Sequence, residues 1–513
     1  MKYLLSVLCF SFGVIYYLNG QSPIILLGCD DSGHHDIEEA LPFFPKVIDY
    51  RGYSEFDRKA ANLLSDYIKV PSIQPQDDRA ANHIISIARD LGLYTQEYRA
   101  PDSSLTVAVS IFPLSMNKPN IVLLNHTDIV EAYETSNWLH PPFEGVIDRG
   151  FVWGRGAYDN KGSAITQILA LAEVAKVARS EDWSINYTAL SLPGEETFHY
   201  YGAEYFVSHH FDELNVYAAI GEGPAGLKGL VSKAPDSKVF GISVSHKRAL
   251  WLRLSLEFES TGHGSVPPIN YPSKDMVLAI DQLLSYKQPI ILNEFNTTML
   301  QELGDLEGGV KGFFIKNIHF FRPFAKSTIR KEPMYNAFFS NTISLTDIRT
   351  SSLEPNSIPD RVEAILDCRL LPGYDTHDFI NLVKEQLGND NISIEIIRET
   401  PDASPTLPNH PVYRFIENSI KAIYEDAAVI PVMLQSTTDS NFFREKGVPV
   451  FSTVPILMTT DLLKRVHSNN ERVPIISLGK AIEIWSDFMI NFSHYFDDSH
   501  FPDRNNVEYF DSK

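Results

Sequence analysis

The chain has 513 residues, 44% hydrophobic and 21% charged, which is the composition of a globular protein and excludes a largely disordered chain. Asp and Glu outnumber Lys and Arg by 65 to 44, and the formal charge of -21 argues against nucleic acid as a partner because it repels a phosphate backbone. The three cysteines form no CxxC pair, so a metal site in this chain has to use His and carboxylate ligands.

The N-terminal residues predict entry into the secretory route. A charged start is followed by the apolar run Leu4 to Leu18 and a candidate cleavage point after Gly20. The motif Leu26-Leu27-Gly28-Cys29 resembles a lipoprotein cleavage box, and a retained membrane anchor is the alternative. We therefore expect a signal peptide or anchor at 1–20, a linker at 21–39, and a secreted, lumenal or vacuolar protein.

Helical and strand patterns alternate through the first half of the chain. The apolar spacing predicts helices at 54–67, 82–91, 162–177 and 202–209, and strands at 106–112, 120–124, 185–192 and 216–220. Such alternation predicts an α/β fold with helices on both faces of a parallel or mixed sheet.

The pattern changes after Gly241. Apolar and polar residues alternate at 250–259 and 362–370, which indicates half-buried antiparallel strands, while 287–340 carries few signals. Helices are predicted at 273–286, 411–425 and 477–492, and a strand at 448–453. We expect an α/β catalytic domain, formed by 40–242 and 398–497, interrupted by an inserted α+β lid domain of the dimerisation type at 243–397 and followed by a tail at 498–513.

Residues with metal-binding chemistry follow several of these strands. His126 and Asp128 stand two residues apart at the end of an apolar strand, so their side chains face the same way. If His126 binds a metal, Asp128 is placed to orient its imidazole. The alternative is a histidine in a turn with a nearby acid. Asp159 lies in a glycine-rich loop that opens onto a helix, where capping the helix is its ordinary role.

Further carboxylates stand at two other strand ends. Glu195 and Glu196 are adjacent after one strand and repel one another unless a cation or a proton is present, and Glu222 follows the strand that is expected to end at Gly221. The glycines around Glu222 match GxGxxG weakly and open no helix, so we discard a dinucleotide site. With His467 in a late polar loop, two imidazoles and four carboxylates suit a pair of Zn²⁺ or similar divalent ions.

The order of these motifs resembles a known family. His-x-Asp, Gly-Arg-Gly-x-x-Asp-x-Lys-Gly, Gly-Glu-Glu, Glu-Gly, Gly-His-Gly-Ser, Asn-x-Ile-Pro-Asp, Thr-Thr-Asp-Ser and a late His follow one another as in the co-catalytic zinc metallopeptidases, which include aminoacylase, glutamate carboxypeptidase and carboxypeptidase S. The resemblance covers about residues 50–495. The stretches 358–361 and 366–373 look like the branch of carboxypeptidase S and N-fatty-acyl-amino-acid hydrolases.

The resemblance implies a role for each residue. His126 and Glu222 would complete the ligand shell of one zinc ion, and Glu196 and His467 would bind the other. Asp159 would bridge the two ions. Glu195 would be the general base that moves a proton to the leaving amine. On the lid, His263 would donate to the oxyanion, from a partner subunit if the protein is a homodimer, and Asn356 would position the substrate.

Two departures bear on the predicted activity. The family has Asp where this chain has Gly221, and Arg where it has Asn441; Arg349 or Arg444 would then be left to pair with a substrate carboxylate.

We expect a metallohydrolase that cleaves a peptide or N-acyl amide bond next to a free C-terminal amino acid. The alternatives are an N-fatty-acyl-amino-acid hydrolase or synthase, an aminoacylase, and a metal-free homologue that only binds. The absence of GxSxG and HExxH disfavours serine and single-zinc hydrolases.

Overall fold

A computed structural model of the chain describes residues 52–496, apart from 134, 232, 260, 261, 332 and 353. The predicted signal peptide or anchor, the linker, the start of the catalytic domain and the C-terminal tail lie outside the described residues.

The first part of the fold alternates helices and strands, as the sequence pattern predicts. The first helix begins with a capping box, in which the Ser54 hydroxyl accepts from the Asp57 N–H and the Asp57 carboxylate accepts from the Ser54 N–H. In chain order the elements are α1 (Glu55–Ile68), α2 (Arg79–Asp90), β1 (Tyr94–Arg99), β2 (Leu105–Ser110), β3 (Asn120–His126), β4 (Val146–Asp148), β5 (Phe151–Trp153), α3 (Lys161–Glu181), β6 (Asn186–Leu192), α4 (Ala203–His209), β7 (Val216–Lys228) and β8 (Lys238–His246).

The middle of the chain forms a second unit. Four short helices fill the region in which the sequence carries few signals. The elements are β9 (Arg248–Glu257), α5 (Pro272–Ser285), α6 (Glu294–Glu307), α7 (Gly309–Lys316), α8 (Ile318–Lys331), α9 (Pro333–Phe339), β10 (Thr342–Thr350), β11 (Arg361–Leu370), α10 (Thr376–Leu387) and β12 (Ser393–Glu399).

The last part of the chain returns to the first unit. Its elements are α11 (Pro411–Ile423), β13 (Ala428–Leu434), α12 (Ser440–Glu445), β14 (Val450–Thr459), α13 (Thr460–Leu463), β15 (Arg472–Pro474) and α14 (Ile475–Tyr495). The helix α14 is apolar on most sides and packs against α1, α3 and α11, so the end of the chain completes the core formed by its beginning.

An eight-stranded mixed sheet forms the centre of the molecule, with strands in the order β1-β2-β6-β3-β7-β14-β8-β13. The strand pairs β6–β3, β3–β7 and β7–β14 are parallel, and β1 and β2 add an antiparallel edge. A four-stranded antiparallel sheet, β10-β11-β9-β12, packs α5 and α10 against its apolar side. This arrangement confirms the predicted fold class, α/β with an α+β insertion.

Two boundaries need comment. The expected end of a strand at Gly221 is wrong, because β7 continues to Lys228 through pairing with β14 and β8. Every strand of the four-stranded sheet lies between Arg248 and Glu399, and β8 of the large sheet extends to His246. The domain limits at 243 and 397 stay predictions.

Candidate metal centre

Strand register places three of the expected donors side by side at one end of the large sheet. His126 is the last residue of β3 and pairs with Leu192, the last residue of β6, so the loop that carries Glu195 and Glu196 emerges beside the imidazole. On the other side of β3, Leu123 pairs with Ile220 of β7, which brings Glu222 level with the end of β3. The central parallel strands therefore converge on this edge, where open α/β sheets place their ligands.

A smaller sheet brings in the remaining two donors. The three residues of β15 pair with β5, and the Gly154 N–H donates to the Glu471 carbonyl at 3.0 Å. This pairing holds the loop of His467 against the loop of Asp159. The capping interpretation of Asp159 is wrong, because Asn160 occupies the N-cap position of α3 and the Asp159 side chain faces two imidazoles instead.

The donor atoms form two groups that share one carboxylate. The His126 Nε2 atom lies 3.0 Å from Asp159 Oδ1 and 3.4 Å from Glu222 Oε2. The His467 Nε2 atom lies 2.9 Å from Asp159 Oδ2 and 3.2 Å from Glu196 Oε1. Each oxygen of Asp159 thus faces a different imidazole, which is the arrangement of a bridging carboxylate between two ions.

Distances alone allow a different grouping of the donors. The donor atoms of His126, Asp159 and Glu196 lie within 4.8 Å of one another, as do those of His126, Glu195 and Glu222. The imidazole contacts favour the two groups that share Asp159. The His126 Nδ1 atom is 3.0 Å from the Asp128 carbonyl oxygen, so only Nε2 is left for an ion, and it faces Asp159 and Glu222.

The residues present fit a pair of divalent ions. The donor set is imidazole nitrogen and carboxylate oxygen, which suits Zn²⁺ and related ions. Glu196 Oε1 is buried and lies 3.2 Å from His467 Nε2 without the geometry of a hydrogen bond, as expected of two ligand atoms that would face one ion. Burial, followed by the neighbouring carboxylates, raises the pKa of Glu195 and of Glu222, and two cations would relieve this crowding.

Asp128 has a different role from the one expected of its carboxylate. Its backbone carbonyl contacts His126 Nδ1, whereas its carboxylate oxygen is 3.6 Å from that nitrogen. The carboxylate instead accepts hydrogen bonds from the N–H groups of Gly194, Glu195 and Glu196, at 2.8 to 3.2 Å. Asp128 therefore orients the imidazole through its backbone and holds the loop of the two glutamates through its side chain.

Glu195 lines a small cavity beside His126 and Glu222. The cavity has a volume of about 10 Å³, room for roughly one water molecule, and is lined by His126, Glu195, Glu222 and Asp439 among others. Asp439 comes from the Thr-Thr-Asp-Ser motif, and burial raises its pKa to about 7. No role for Asp439 follows from the sequence alone, although its motif is part of the family resemblance.

A buried ion pair behind the site was also missed. Glu471 accepts from Arg155 Nη1 at 2.7 Å and from the N–H groups of Gly156, Tyr158 and Asp159 at 3.0 to 3.3 Å. The Arg155 side chain is 3% exposed and that of Glu471 1%. Glu471 thus fixes the loop of Asp159 from a position four residues after His467, and only the presence of an acid next to a motif histidine hinted at it.

The residues expected to contact the substrate lie in different environments. His263 and Asn356 are brought together, with Asn356 Nδ2 3.3 Å from His263 Nε2, and both are exposed. Arg349 is 78% exposed beside Asp347. Arg444 is buried and donates to the Val450 carbonyl at 2.9 Å, and Asn441 is buried with its Oδ1 unbonded. Of the two arginines, Arg349 is therefore the one left accessible to a substrate carboxylate.

The glycine at 221 has a local physical explanation. A Cβ atom there would overlap the Ser440 hydroxyl and lie 3.1 Å from its Cβ, while that hydroxyl is 3.2 Å from Ser452 Oγ. The space that an aspartate side chain would need is thus occupied by serine. Because Glu222 keeps its contact with His126, the departure at Gly221 leaves this donor pair intact.

We expect Gly221→Ala to destabilise the fold by about 1–3 kcal/mol through overpacking. Ser440→Ala in the same chain should recover part of that loss, since it removes the hydroxyl that the new methyl group meets. Urea unfolding of the two single variants and the double variant measures the coupling. Strictly additive effects would contradict the steric explanation.

Metal binding should displace protons at neutral pH. In the ion-free protein, the carboxylates of Asp159 and Glu196 raise the pKa of His467 to about 10, and the neighbouring carboxylates raise the pKa of His126 above its usual value despite burial. Stability from the His467 contacts is therefore complete below about pH 6.5 and lost as the pH rises through about 10. Calorimetric titration with Zn²⁺ in two buffers should show release of at least about one proton at pH 7. Binding without proton release would contradict this.

Comparison with known proteins gives the family. The family model described as Peptidase family M20/M25/M40 matches residues 122–491. N-fatty-acyl-amino acid synthase/hydrolase PM20D1 of Mus musculus is 25% identical over 397 residues, covering 75% of this chain and 77% of that protein. Probable carboxypeptidase S-like 2 of Dictyostelium discoideum is 24% identical over 383 residues, covering 73% and 72%.

The fold is also that of a solved member. The M20 family metallo-carboxypeptidase Sso-CP2 from Sulfolobus solfataricus superposes with a TM-score of 0.65 at 20% identity, covering 85% of this chain and 99% of that one. The family model spans well over half of the 513 residues and contains the candidate ligands from His126 to His467. The resemblance seen in the sequence is thereby confirmed: the chain belongs to the peptidase family M20/M25/M40 and is a hydrolase of that family.

Proposed function

We propose that the protein is a two-metal amidohydrolase of the carboxypeptidase S type, which cleaves a peptide or N-acyl amide bond next to a free C-terminal amino acid. The observation that carries the proposal is the pair of donor groups sharing Asp159, with the Glu195 carboxylate beside them on the lining of the small cavity. A site built for hydrolysis needs both parts, because the ions activate water and a separate carboxylate moves its proton.

The roles of the residues follow from their places. His126 and Glu222 would hold one ion, Glu196 and His467 the other, and Asp159 would bridge them, with zinc as the proposed metal. Such a pair supplies an acidified water molecule and polarises the scissile carbonyl.

Glu195 takes the proton from the attacking water and hands it to the leaving nitrogen, for which its position on the lining of the small cavity is suited. His263 and Asn356 contact each other on the lid. His263 would donate to the substrate oxyanion and Asn356 would position the substrate, either in the same chain or from the partner of a homodimer. Arg349 would pair with the free carboxylate.

A second candidate is an N-fatty-acyl-amino-acid hydrolase or synthase, favoured by the similarity to PM20D1 over three quarters of the chain. Both candidates use the same donors and differ only in the group that precedes the scissile bond. An aminoacylase acting on short acyl groups belongs to the same class.

Parallel assays separate the candidates. The purified protein, supplied with Zn²⁺, is tested on a Gly-Leu dipeptide, an N-blocked dipeptide, an N-acetyl amino acid and an N-oleoyl amino acid. Faster turnover of the N-blocked dipeptide supports the carboxypeptidase, and faster turnover of the N-oleoyl substrate supports the acyl hydrolase. No turnover of any substrate, with no metal bound after zinc addition, would support a binding protein instead.

We also propose export through the secretory route, on the N-terminal apolar run. None of the helices within 52–496 is long and apolar enough to cross a bilayer. Of the five Asn-x-Ser/Thr sites, Asn391 and Asn491 are exposed, whereas Asn125, Asn186 and Asn296 are buried. Expression in a eukaryotic host should therefore give glycans at the two exposed sites, detected by glycosidase treatment and mass spectrometry. A wholly unmodified protein retained in the cytosol would contradict export.

A further inference from the structure

The helices α7 and α8 form a cationic segment that the proposed hydrolase does not use. Between Gly308 and Lys331 the sequence contains no Asp or Glu, in a protein whose formal charge is -21. The cations of this segment are Lys311, Lys316, Arg322, Lys326, Arg330 and Lys331. A run of this kind in an acidic protein indicates a surface for an anionic partner.

Neighbouring elements hold this segment on the body of the protein. Leu303 of α6 packs with Val239 of β8 and Ile430 of the edge strand β13 in the large sheet. At the far end, Lys247 donates to the carbonyl groups of Ala337 and Ser340, at 3.1 and 2.9 Å. These contacts on either side of α7 and α8 attach the segment to the rest of the protein.

The helix α8 has one buried face and one exposed face. Ile318 and Ile329 are each 6% exposed and share a small core with Ile290 and Phe339. Phe320 and Lys331 come two residues after each of these isoleucines, which places them about 200° around the helix, on the opposite side. Phe320 is 80% exposed and Lys331 is also exposed. An aromatic ring and a cation thus share the outer face.

The helix α7 extends the apolar surface. Val310 is 68% and Phe313 58% exposed. Phe314 and Phe321 are half-buried, and their rings meet edge to face with their centroids 4.5 Å apart. The ring centroid of Phe313 lies 6.1 Å from that of Phe321. Adjacent exposed aromatic and aliphatic side chains of this kind mark an interaction surface rather than an ordinary solvent-facing helix.

The charges on this surface are unevenly neutralised. Lys311 and Lys316 pair with Glu307 and Asp305 of α6, at 3.0 and 2.7 Å. Lys326 and Lys331 are exposed and belong to a helix without a carboxylate of its own. Positive charge therefore persists along α8 beside the exposed phenylalanines.

We propose that α7 and α8 dock the protein on an anionic lipid surface, with Phe313 and Phe320 entering the interface and the lysines of α8 facing the headgroups. Exposed aromatic side chains combined with Lys and Arg are the combination that holds a peripheral helix at the headgroup boundary. The positive charge of α8 complements the negative charge of phosphatidylserine-type lipids, within the short range set by ionic screening. The proposal does not depend on the hydrolase activity.

Vesicle flotation of the full chain tests this. Vesicles of phosphatidylcholine alone are compared with vesicles that contain about one third phosphatidylserine. We expect binding to the anionic vesicles, at least ~10-fold weaker in Phe313→Ser/Phe320→Ser and in Lys326→Glu/Lys331→Glu, and weakened by salt. The matched control is Val266→Ser/Ile269→Ser, which removes two apolar residues of the lid that are 80% and 85% exposed, and should bind as the parent does.

Hydrogen–deuterium exchange gives a local readout that is insensitive to any contribution of the N-terminal apolar run. Amides within 309–331 should be protected by anionic vesicles and not by neutral ones. The proposal is overturned by unchanged exchange in this segment, by equal binding of parent and variants, or by equal binding to neutral vesicles. A dimer in solution that Phe313→Ser/Phe320→Ser abolishes would also overturn it, since the surface would then join two copies of the chain.

Discussion

Replacing Glu195 with Gln is expected to lower turnover by at least ~100-fold while both metal ions stay bound, since the change removes the proton carrier and leaves every proposed ligand in place. The amide keeps the size of the side chain, and the hydrogen bond from the Glu195 N–H to Asp128 is a backbone contact that the change does not touch. Steady-state kinetics on the best substrate, together with metal analysis of the same preparation, measures the effect.

The control for this variant is Glu257→Gln, which changes an exposed carboxylate at the end of β9 and should leave turnover unaltered. Turnover of Glu195→Gln close to that of the parent would remove the general-base role. Loss of metal in the same variant would instead make Glu195 a ligand, in agreement with its nearness to His126 and Glu222.

Replacing Glu471 with Ala is expected to lower the free energy of unfolding by about 3–5 kcal/mol, because it leaves Arg155 buried and unpaired. It also removes the acceptor of three backbone N–H groups in the loop of Asp159. The loop should then lose its position relative to His467, so the affinity for Zn²⁺ should fall with the stability. Urea unfolding of the ion-free protein and a competition titration with a chelating dye measure the two effects separately.

Lys69→Ala is the comparison for this variant, since it breaks an ion pair with Asp66 whose side chains are 50% and 60% exposed. A surface pair of this kind contributes little, and the midpoint of unfolding should hardly move. If Glu471→Ala matched Lys69→Ala in stability and retained the parent's zinc affinity, the positioning role of Glu471 would be wrong.

Local pattern predicted the elements that carry the site. The helix that follows Asp159 and the strands that precede His126 and Glu195 were expected within a few residues of where they lie. These segments are long, apolar and regular in spacing, so their own composition determines them. The region 287–340 forms four helices that the sequence did not reveal. Part of their apolar surface faces away from any core, which blurs the helical pattern.

The roles of Asp128 and Glu471 show the limit of motif reading. Spacing put Asp128 on the same side as His126, but the fold turned its carboxylate toward the backbone of the next loop. Glu471 lies four residues after His467, but its hydrogen-bond partners lie more than three hundred residues earlier in the chain. A hydrogen bond over that separation is visible only once the two loops are packed together.

The sequence by itself determined which side chains are available for chemistry, the alternation of helices and strands that carries them, and the family to which their order belongs. Tertiary structure alone decided which donors lie next to one another. The register of β3 with β6 and β7 selected the partners of His126, and the pairing of β15 with β5 brought His467 to the second oxygen of Asp159. The reason is physical: coordination depends on separations of a few ångströms between side-chain atoms, and for residues distant in the chain those separations are set by strand pairing and core packing rather than by local sequence.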